Sequence, residues 1–453
     1  MTGVVVVGDG LAASMAALAA ARTGAPVTLV SPPPRKPGPT LPAEGPRPTG
    51  GLVGVLGYTP DGEGPLAEPF AAIPDLPSDH PYRVVGTDAV REGLALFDDV
   101  TGDAYGGEGT ERNALVPTAW GRLRPAARYP DAIAAGLASD RLATSLVGFD
   151  ALPSFDPALA AERLDNSLPY RVNGLTVSFP TALSAGADPG PTDRRPLDCA
   201  RAFDAAENAG EDSGGQPDDE SENGTRRGDD GGGTENLLIE GLQDELDVFL
   251  DAKDRVGFPA VLGLEHGQRV RERLTEGFGL DVFEVPLGPP SVPGMRLGSL
   301  LANALAEAGV ALTAADIEGV ETSDGRVDAV RLESGEIRHG EAFVLATGGV
   351  AGAGLVADRD GVREPVAGCH VEVPANRSAW ADADPLGDHA FARFGVRVDA
   401  SLRPLARDGG PSFENLRAAG KLLGGYDFVA EGSAGGVSVA TGAVAGRLAA
   451  GSP

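Results

Sequence analysis

The chain opens on an unbroken apolar run, Val4 to Val7, then two glycines around Asp9, an alanine-rich stretch from Leu11 to Thr23, and a second apolar run from Val27 to Val30. A β-branched run ending at glycine predicts a buried strand, and the small-residue stretch behind it predicts a helix, so residues 4–30 read strand, helix, strand. Similar signals return later: a helix over 298–308, hairpin-like strands over 317–321 and 326–332, a buried strand over 342–346 and a final helix from about Ala434. Between them, from about Tyr82 to Pro290, helical stretches at 89–97, 236–250 and 265–274 stand among loops, with no repeat of fixed period. The layout predicts an α/β fold. Its Rossmann-like flavin-binding domain is formed by 1–81 and 291–453 and split by an inserted, cap-like α+β middle over 82–290.

Composition narrows the partners. The 453 residues carry 37 basic and 66 acidic side chains, a net charge of −29, and the only lysines are Lys36, Lys253 and Lys421. Such a sign argues against nucleic acid or an anionic bilayer as a direct partner. An acid excess with almost no lysine points to a hypersaline proteome, where a Debye length of roughly 3 Å at 1 M salt makes self-repulsion cheap. Two cysteines, Cys199 and Cys369, provide neither a disulfide framework nor an iron–sulfur or four-thiolate zinc site, so no metal is expected. The apolar N-terminus lacks a basic leader segment, and the small-residue stretch 435–451 contains Arg447, so neither a signal peptide nor a spanning helix is expected. Residues 207–230 hold nine acids, two arginines and no Val, Ile, Leu, Met or aromatic residue, and are expected to be a disordered insertion. Pro32 to Pro48 reads as a proline-rich loop.

Three motifs carry chemistry. Gly8-Asp9-Gly10-Leu11-Ala12-Ala13 follows the first strand as G-x-G-x-x-A, with Gly8 for the tight turn, Gly10 for approach to a phosphate and Ala13 for close helix packing. The acid expected after the second strand to hold a ribose is missing, because the chain reads Val30-Ser31-Pro32-Pro33-Pro34. That absence favours FMN, which needs only a phosphate site and a flavin pocket, over FAD, the second choice; Ser31 or a later residue is the alternative grip for a ribose. Thr347-Gly348-Gly349 ends the later buried strand, and small residues there let the backbone approach a cofactor. Gly420, Gly432, Gly435 and Gly436 lead into the last helix, whose positive end can face a flavin pyrimidine.

These residues, with Pro290-Ser-Val-Pro-Gly-Met-Arg-Leu297, Leu355-Val-Ala-Asp-Arg-Asp-Gly-Val-Arg-Glu-Pro365, Leu423-Gly-Gly-Tyr-Asp427 and the weaker His80-Pro-Tyr-Arg-Val-Val-Gly86, give the chain a resemblance. It resembles the B-subunit family of anaerobic glycerol-3-phosphate dehydrogenases, within the wider succinate dehydrogenase and fumarate reductase flavoprotein group. The resemblance implies an FMN-containing subunit that pairs with an FAD-containing A subunit in a catalytic dimer. An iron–sulfur C subunit would anchor the pair at the inner face of the cell membrane and pass electrons to quinone. This chain would then be cytoplasmic and peripheral, with glycerol 3-phosphate as substrate. Thr49, Gly50 and Gly51 fall where the wider group brings backbone close to flavin, and no histidine precedes them, so no covalent histidyl link is expected. The segments 32–48 and 207–230 look like insertions relative to bacterial relatives.

Oxidising a secondary alcohol requires a base and a hydride path to flavin. Of the five histidines, His80, His266, His339, His370 and His389, the one nearest in sequence to the cofactor motifs is His370. Arg296 and Arg363 lie in the family-like stretches and offer guanidinium forks for a substrate phosphate, with a structural ion pair as the alternative for each. Cys369 reads as a packed hydrophobe. The rival readings are a free-standing flavin oxidoreductase of the fumarate reductase kind, and a scaffold subunit without flavin.

Overall fold

The computed structural model describes residues 3–33, 46–180, 194–213, 241–242, 245–246, 250, 255–385 and 387–451. Its main elements, in chain order, begin with β1 (Val4–Val7), α1 (Leu11–Ala21), β2 (Val27–Ser31), α2 (Pro81–Val85), α3 (Thr87–Thr101), β3 (Thr144–Phe149) and α4 (Pro157–Asp165). There follow β4 (Val172–Val177), α5 (Pro196–Ser213), β5 (Arg255–Pro259), α6 (Gly267–Phe278), β6 (Val282–Val285), α7 (Val292–Glu307) and β7 (Ala311–Ala314). The chain ends with β8 (Ile317–Ser323), β9 (Arg326–Leu332), β10 (Ile337–His339), β11 (Ala342–Leu345), β12 (Leu416–Ala418) and α8 (Ala434–Ala449).

Two compact units result. The first comprises residues 1–114, 125–129 and 297–453. Its main sheet has the order β7-β2-β1-β11-β12, and every pairing is parallel. The valines of β1 are at most 3% exposed, because a central parallel strand is covered on both faces and needs no polar alternation. α1 is apolar almost all round: Ala13, Met15, Ala16, Ala17 and Ala20 are fully buried. It packs on α8 so closely that a Cβ on Gly442 would lie 2.5 Å from the Ala12 carbonyl oxygen and one on Gly446 2.0 Å from that of Ala16. β8, β9 and β10 form an antiparallel meander beside this sheet.

The second unit comprises residues 115–124 and 130–296 and has a separate core. It is built on a four-stranded sheet, β6-β5-β3-β4, again parallel throughout, with Phe149, Phe258 and Phe283 at its centre. The sequence pattern does not single out these strands, since short apolar runs without alternation cannot be told from buried helix.

Several expectations meet differences here. Residues 82–114, placed in the middle region by sequence, belong to the first unit: Gly93 of α3 comes so near α8 that a Cβ on it would lie 2.9 Å from the Ala440 Cα. α7 starts earlier than the expected 298, because the Ser291 hydroxyl accepts the Gly294 amide at 3.1 Å and caps the turn. Residues 207–213, expected to be disordered, are the end of α5, and Glu207 is buried there at 3.2 Å from Arg273. The rest of that acidic segment, most of the expected 236–250 helix and residues 34–45 of the proline-rich loop lie outside the described residues.

Candidate cofactor site

A parallel sheet sends the loops that follow its strands to one edge, and the candidate motifs are those loops. The Gly8 amide donates to the Val30 carbonyl at 2.9 Å, holding the turn after β1 against β2. Gly8 has φ +142°, and a Cβ on it would lie 2.3 Å from the Ala346 carbonyl oxygen, so the exit of β11 excludes any side chain. Gly10 caps α1 and differs in kind: beyond its own neighbours in the chain, no atom of the described residues lies within 4 Å of where its Cβ would be. Gly50 is equally open. Ala13 is fully buried under the turn.

The next loops close around these glycines. Gly348, at φ +83°, and Gly349 follow β11, and a Cβ on Gly349 would lie 3.1 Å from the Lys421 carbonyl oxygen, beside the turn after β12. The Lys421 ammonium donates to the Thr49 hydroxyl at 3.3 Å and lies 5.3 Å from the centre of the Phe428 ring, bringing residue 49 to the same rim. Gly420, at φ +71°, donates its amide to the Thr441 hydroxyl at 2.9 Å, tying this turn to α8.

Arg47 is the charged group that sequence reading missed. Its amide donates to the Asp9 carbonyl at 2.5 Å, its Nε donates to the Asp9 carboxylate at 3.0 Å, and its Nη2 donates to the Pro32 carbonyl. The guanidinium thus bridges the glycine turn and the end of β2, with 13% of the side chain exposed. Two polar atoms in these loops are buried without a partner among the described residues, Arg47 Nη1 and Thr347 Oγ1. Buried polar atoms are normally paired, so orphans beside open glycines fit a site built for a polar ligand such as a phosphate ester. The only cue to Arg47 in the sequence is its place just before Thr49-Gly50-Gly51.

Other candidates prove to be spent elsewhere. Gly435 and Gly436 are packing glycines: their Cβ atoms would lie 2.9 Å from the Val53 Cα and 2.3 Å from the Tyr82 hydroxyl, and the Gly436 amide donates to the Gly54 carbonyl at 2.8 Å. Gly432, at φ +64°, is a turn residue whose carbonyl oxygen would meet a Cβ on Gly54 at 2.4 Å. Before α8 lies a buried network that sequence reading also missed. His80 Nδ1 accepts the Tyr82 amide at 3.0 Å, so Nε2 carries the proton and donates to Glu431 at 3.1 Å. Glu431 also accepts from the Ser433 hydroxyl at 2.9 Å and the Asp427 amide at 3.1 Å. Burial, reinforced by the charge of Glu431, pushes the Tyr82 and Tyr426 hydroxyls well above their ordinary range, keeping both as neutral donors.

Each catalytic candidate has its own surroundings. Arg296 donates to Glu284 at 2.5 and 2.9 Å and to the Gly263 carbonyl, all within the second unit, which makes it a structural ion pair rather than a free fork. Arg363 is 60% exposed in a short hairpin and lies 3.7 Å from Asp358. His370 is half-buried beside Cys369. Burial, with Glu364 beside it, drives the Cys369 thiol far up, and burial pushes Cys199 to about 12, so both behave as packed thiols.

The family of the chain follows from comparison with known proteins. The FAD binding domain family model matches residues 3–437. The chain is 46% identical, over 99% of its length and 97% of theirs, to the probable B subunit of anaerobic glycerol-3-phosphate dehydrogenase from two Halobacterium salinarum strains. It is 27% identical over 97% of its length to the B subunit of anaerobic glycerol-3-phosphate dehydrogenase from Vibrio cholerae, covering 94% of that protein. Among solved structures, the 3-ketosteroid delta1-dehydrogenase of Sterolibacterium denitrificans aligns over 99% of both chains at 13% identity, with a TM-score of 0.39. The open glycine turns after parallel strands and the full-length identity to the haloarchaeal proteins lead to one assignment: the chain belongs to the FAD binding domain family and, within it, to the family of anaerobic glycerol-3-phosphate dehydrogenase B subunits.

Proposed function

We propose that this protein is the FMN-binding subunit of a quinone-linked anaerobic glycerol-3-phosphate dehydrogenase complex, oxidising sn-glycerol 3-phosphate to dihydroxyacetone phosphate. The observation that carries the reading is 46% identity along essentially the whole chain, with the glycine turns of β1 and β11 framing the candidate site. The flavin, when bound, supplies the electron-accepting ring. The chain's own part is to hold a phosphate at the Gly8 to Gly10 turn and α1, to line the flavin with Thr49, Gly50, Gly51, Thr347, Gly348 and Gly349, and to keep water from it. The end of β2 supports FMN over FAD, because Ser31 and Pro32 stand where a ribose-binding acid would be.

The relatives are each named as one lettered component of a larger enzyme, which supports a complex of several chains, and we place an FAD-containing A subunit and an iron–sulfur C subunit next to this chain. Among the described residues no helix is long and apolar enough to cross a membrane, so attachment at the inner face of the cell membrane would come through the C subunit. Protein purified in concentrated salt should release stoichiometric FMN, identified by chromatography, and should support dye-linked glycerol 3-phosphate oxidation only with its partners. Correctly folded but colourless protein would defeat the reading, and reduction of fumarate by the isolated chain would replace it with the free-standing oxidoreductase.

A further inference from the structure

At the end of β2 a dinucleotide site places a carboxylate, which accepts hydrogen bonds from the two ribose hydroxyls. Here the chain leaves β2 as Ser31-Pro32, and the charged group lodged at that point is a cation. Arg47 reaches it from the other side of the site, pinned by its own amide to the Asp9 carbonyl and by Nε to the Asp9 carboxylate, while Nη2 is held by the Pro32 carbonyl. These contacts take Nε and Nη2. Nη1 is buried with no partner among the described residues. A guanidinium held this way has no acceptor to offer a ribose diol, but a free N–H edge to offer a phosphate.

Resting on the flavin reading above, we infer that Arg47 determines cofactor specificity by binding the terminal phosphate of a mononucleotide flavin. A mononucleotide ends in a phosphate dianion with three outer oxygens, whereas in a dinucleotide the same phosphate is bridged by an anhydride oxygen to a second phosphate and keeps one negative charge and two outer oxygens. A cation beyond the glycine turn therefore matches the terminal dianion best, since in the dinucleotide one oxygen of that phosphate is tied up in the bridge and its charge is halved. Asp9 keeps the guanidinium oriented, and its carboxylate, 37% exposed, has its opposing charge screened by water and salt.

The test is a titration of flavin-free full-length protein, in concentrated salt, with riboflavin, FMN and FAD, followed by quenching of flavin fluorescence. Riboflavin has the ring and no phosphate, so it reports the integrity of the pocket independently of Arg47. Wild type should bind FMN more tightly than riboflavin or FAD. Arg47→Gln should cut the FMN-to-riboflavin affinity ratio by about tenfold or more with riboflavin binding retained, and Arg47→Lys should restore part of it. An unchanged ratio in Arg47→Gln, or loss of riboflavin binding along with FMN, would overturn the inference and leave the flavin reading standing. Wild-type protein that binds none of the three would overturn both.

Discussion

His80 Nε2 and Glu431 Oε2 meet at 3.1 Å across 351 residues of sequence, with 0% and 2% of their side chains exposed. Through its carbonyl, Glu431 also accepts the Gly57 amide at 2.7 Å and the Tyr58 amide at 3.0 Å, so one residue joins three distant segments in front of α8. Both carboxylate oxygens are occupied. Glu431→Gln turns one acceptor into a donor facing donors, and should cost about 2–4 kcal/mol, seen as a lowered midpoint in denaturant unfolding. A loss below about 0.5 kcal/mol would mean that the network is not tightly formed.

Gly8 and Gly10 should separate stability from binding. Gly8→Ala sets a Cβ against the Ala346 carbonyl at a positive φ and should destabilise the first unit by several kcal/mol. Gly10→Ala meets open space, so the thermal midpoint should move by only a few degrees while flavin affinity falls sharply. Equal loss of stability in the two variants would show that residue 10 has no role toward a ligand.

Arg296 should behave as part of the scaffold. Its partner Glu284 is 1% exposed and also accepts the Leu262 amide at 3.0 Å. Arg296→Ala should cost about 3 kcal/mol by stranding a buried carboxylate, yet leave KM for glycerol 3-phosphate unchanged at temperatures where the variant stays folded. A raised KM with unchanged stability would return Arg296 to the substrate.

Glu364 gives a pH signature. It is 1% exposed, and burial raises its pKa above the ordinary 4.5, only partly opposed by the amides of Val366, Ala367 and Cys369. Between the unfolded value and the raised folded value the native state holds more protons than the unfolded one. This group's contribution therefore falls as pH rises through that window above about 4.5. Unfolding midpoints of wild type and Glu364→Ala, measured across that window, should converge as pH rises; a constant difference would show that the group does not titrate differently in the two states.

Salt should matter throughout. With a net charge of −29, unfolding midpoints and activity should both rise with salt concentration, and full stability in dilute buffer would contradict the reading of the surface.

How much of this was legible in the sequence depends on what each residue has to do. β1, α1 and β2 could be read because Val4 to Val7, Gly8 and Ala13 each carry a local signal that agrees with the global fold. The strands of the second unit could not, since Thr144 to Phe149 and Val282 to Val285 are buried on both faces and show no period. The glycines of the β1 and β11 turns stand out as residue types, but nothing local distinguishes Gly10, which faces open space, from Gly436, whose missing side chain is replaced by Tyr82 and Val55. Arg47 and Glu431 acquire meaning only from partners distant in sequence, Pro32 and Asp9 for one and His80 for the other.

The close crossing of α1 and α8 also sets an order of assembly. Ala12 and Ala16 are met by Gly442 and Gly446, so α1, once it has left the ribosome, cannot cover that face until α8 has been made. The second unit is complete by residue 296 and has its own core, which lets it fold while the first is still waiting. Until translation reaches α8, the glycine turn is carried on a half-covered helix, so a chain interrupted before that point has no finished cofactor site to fill.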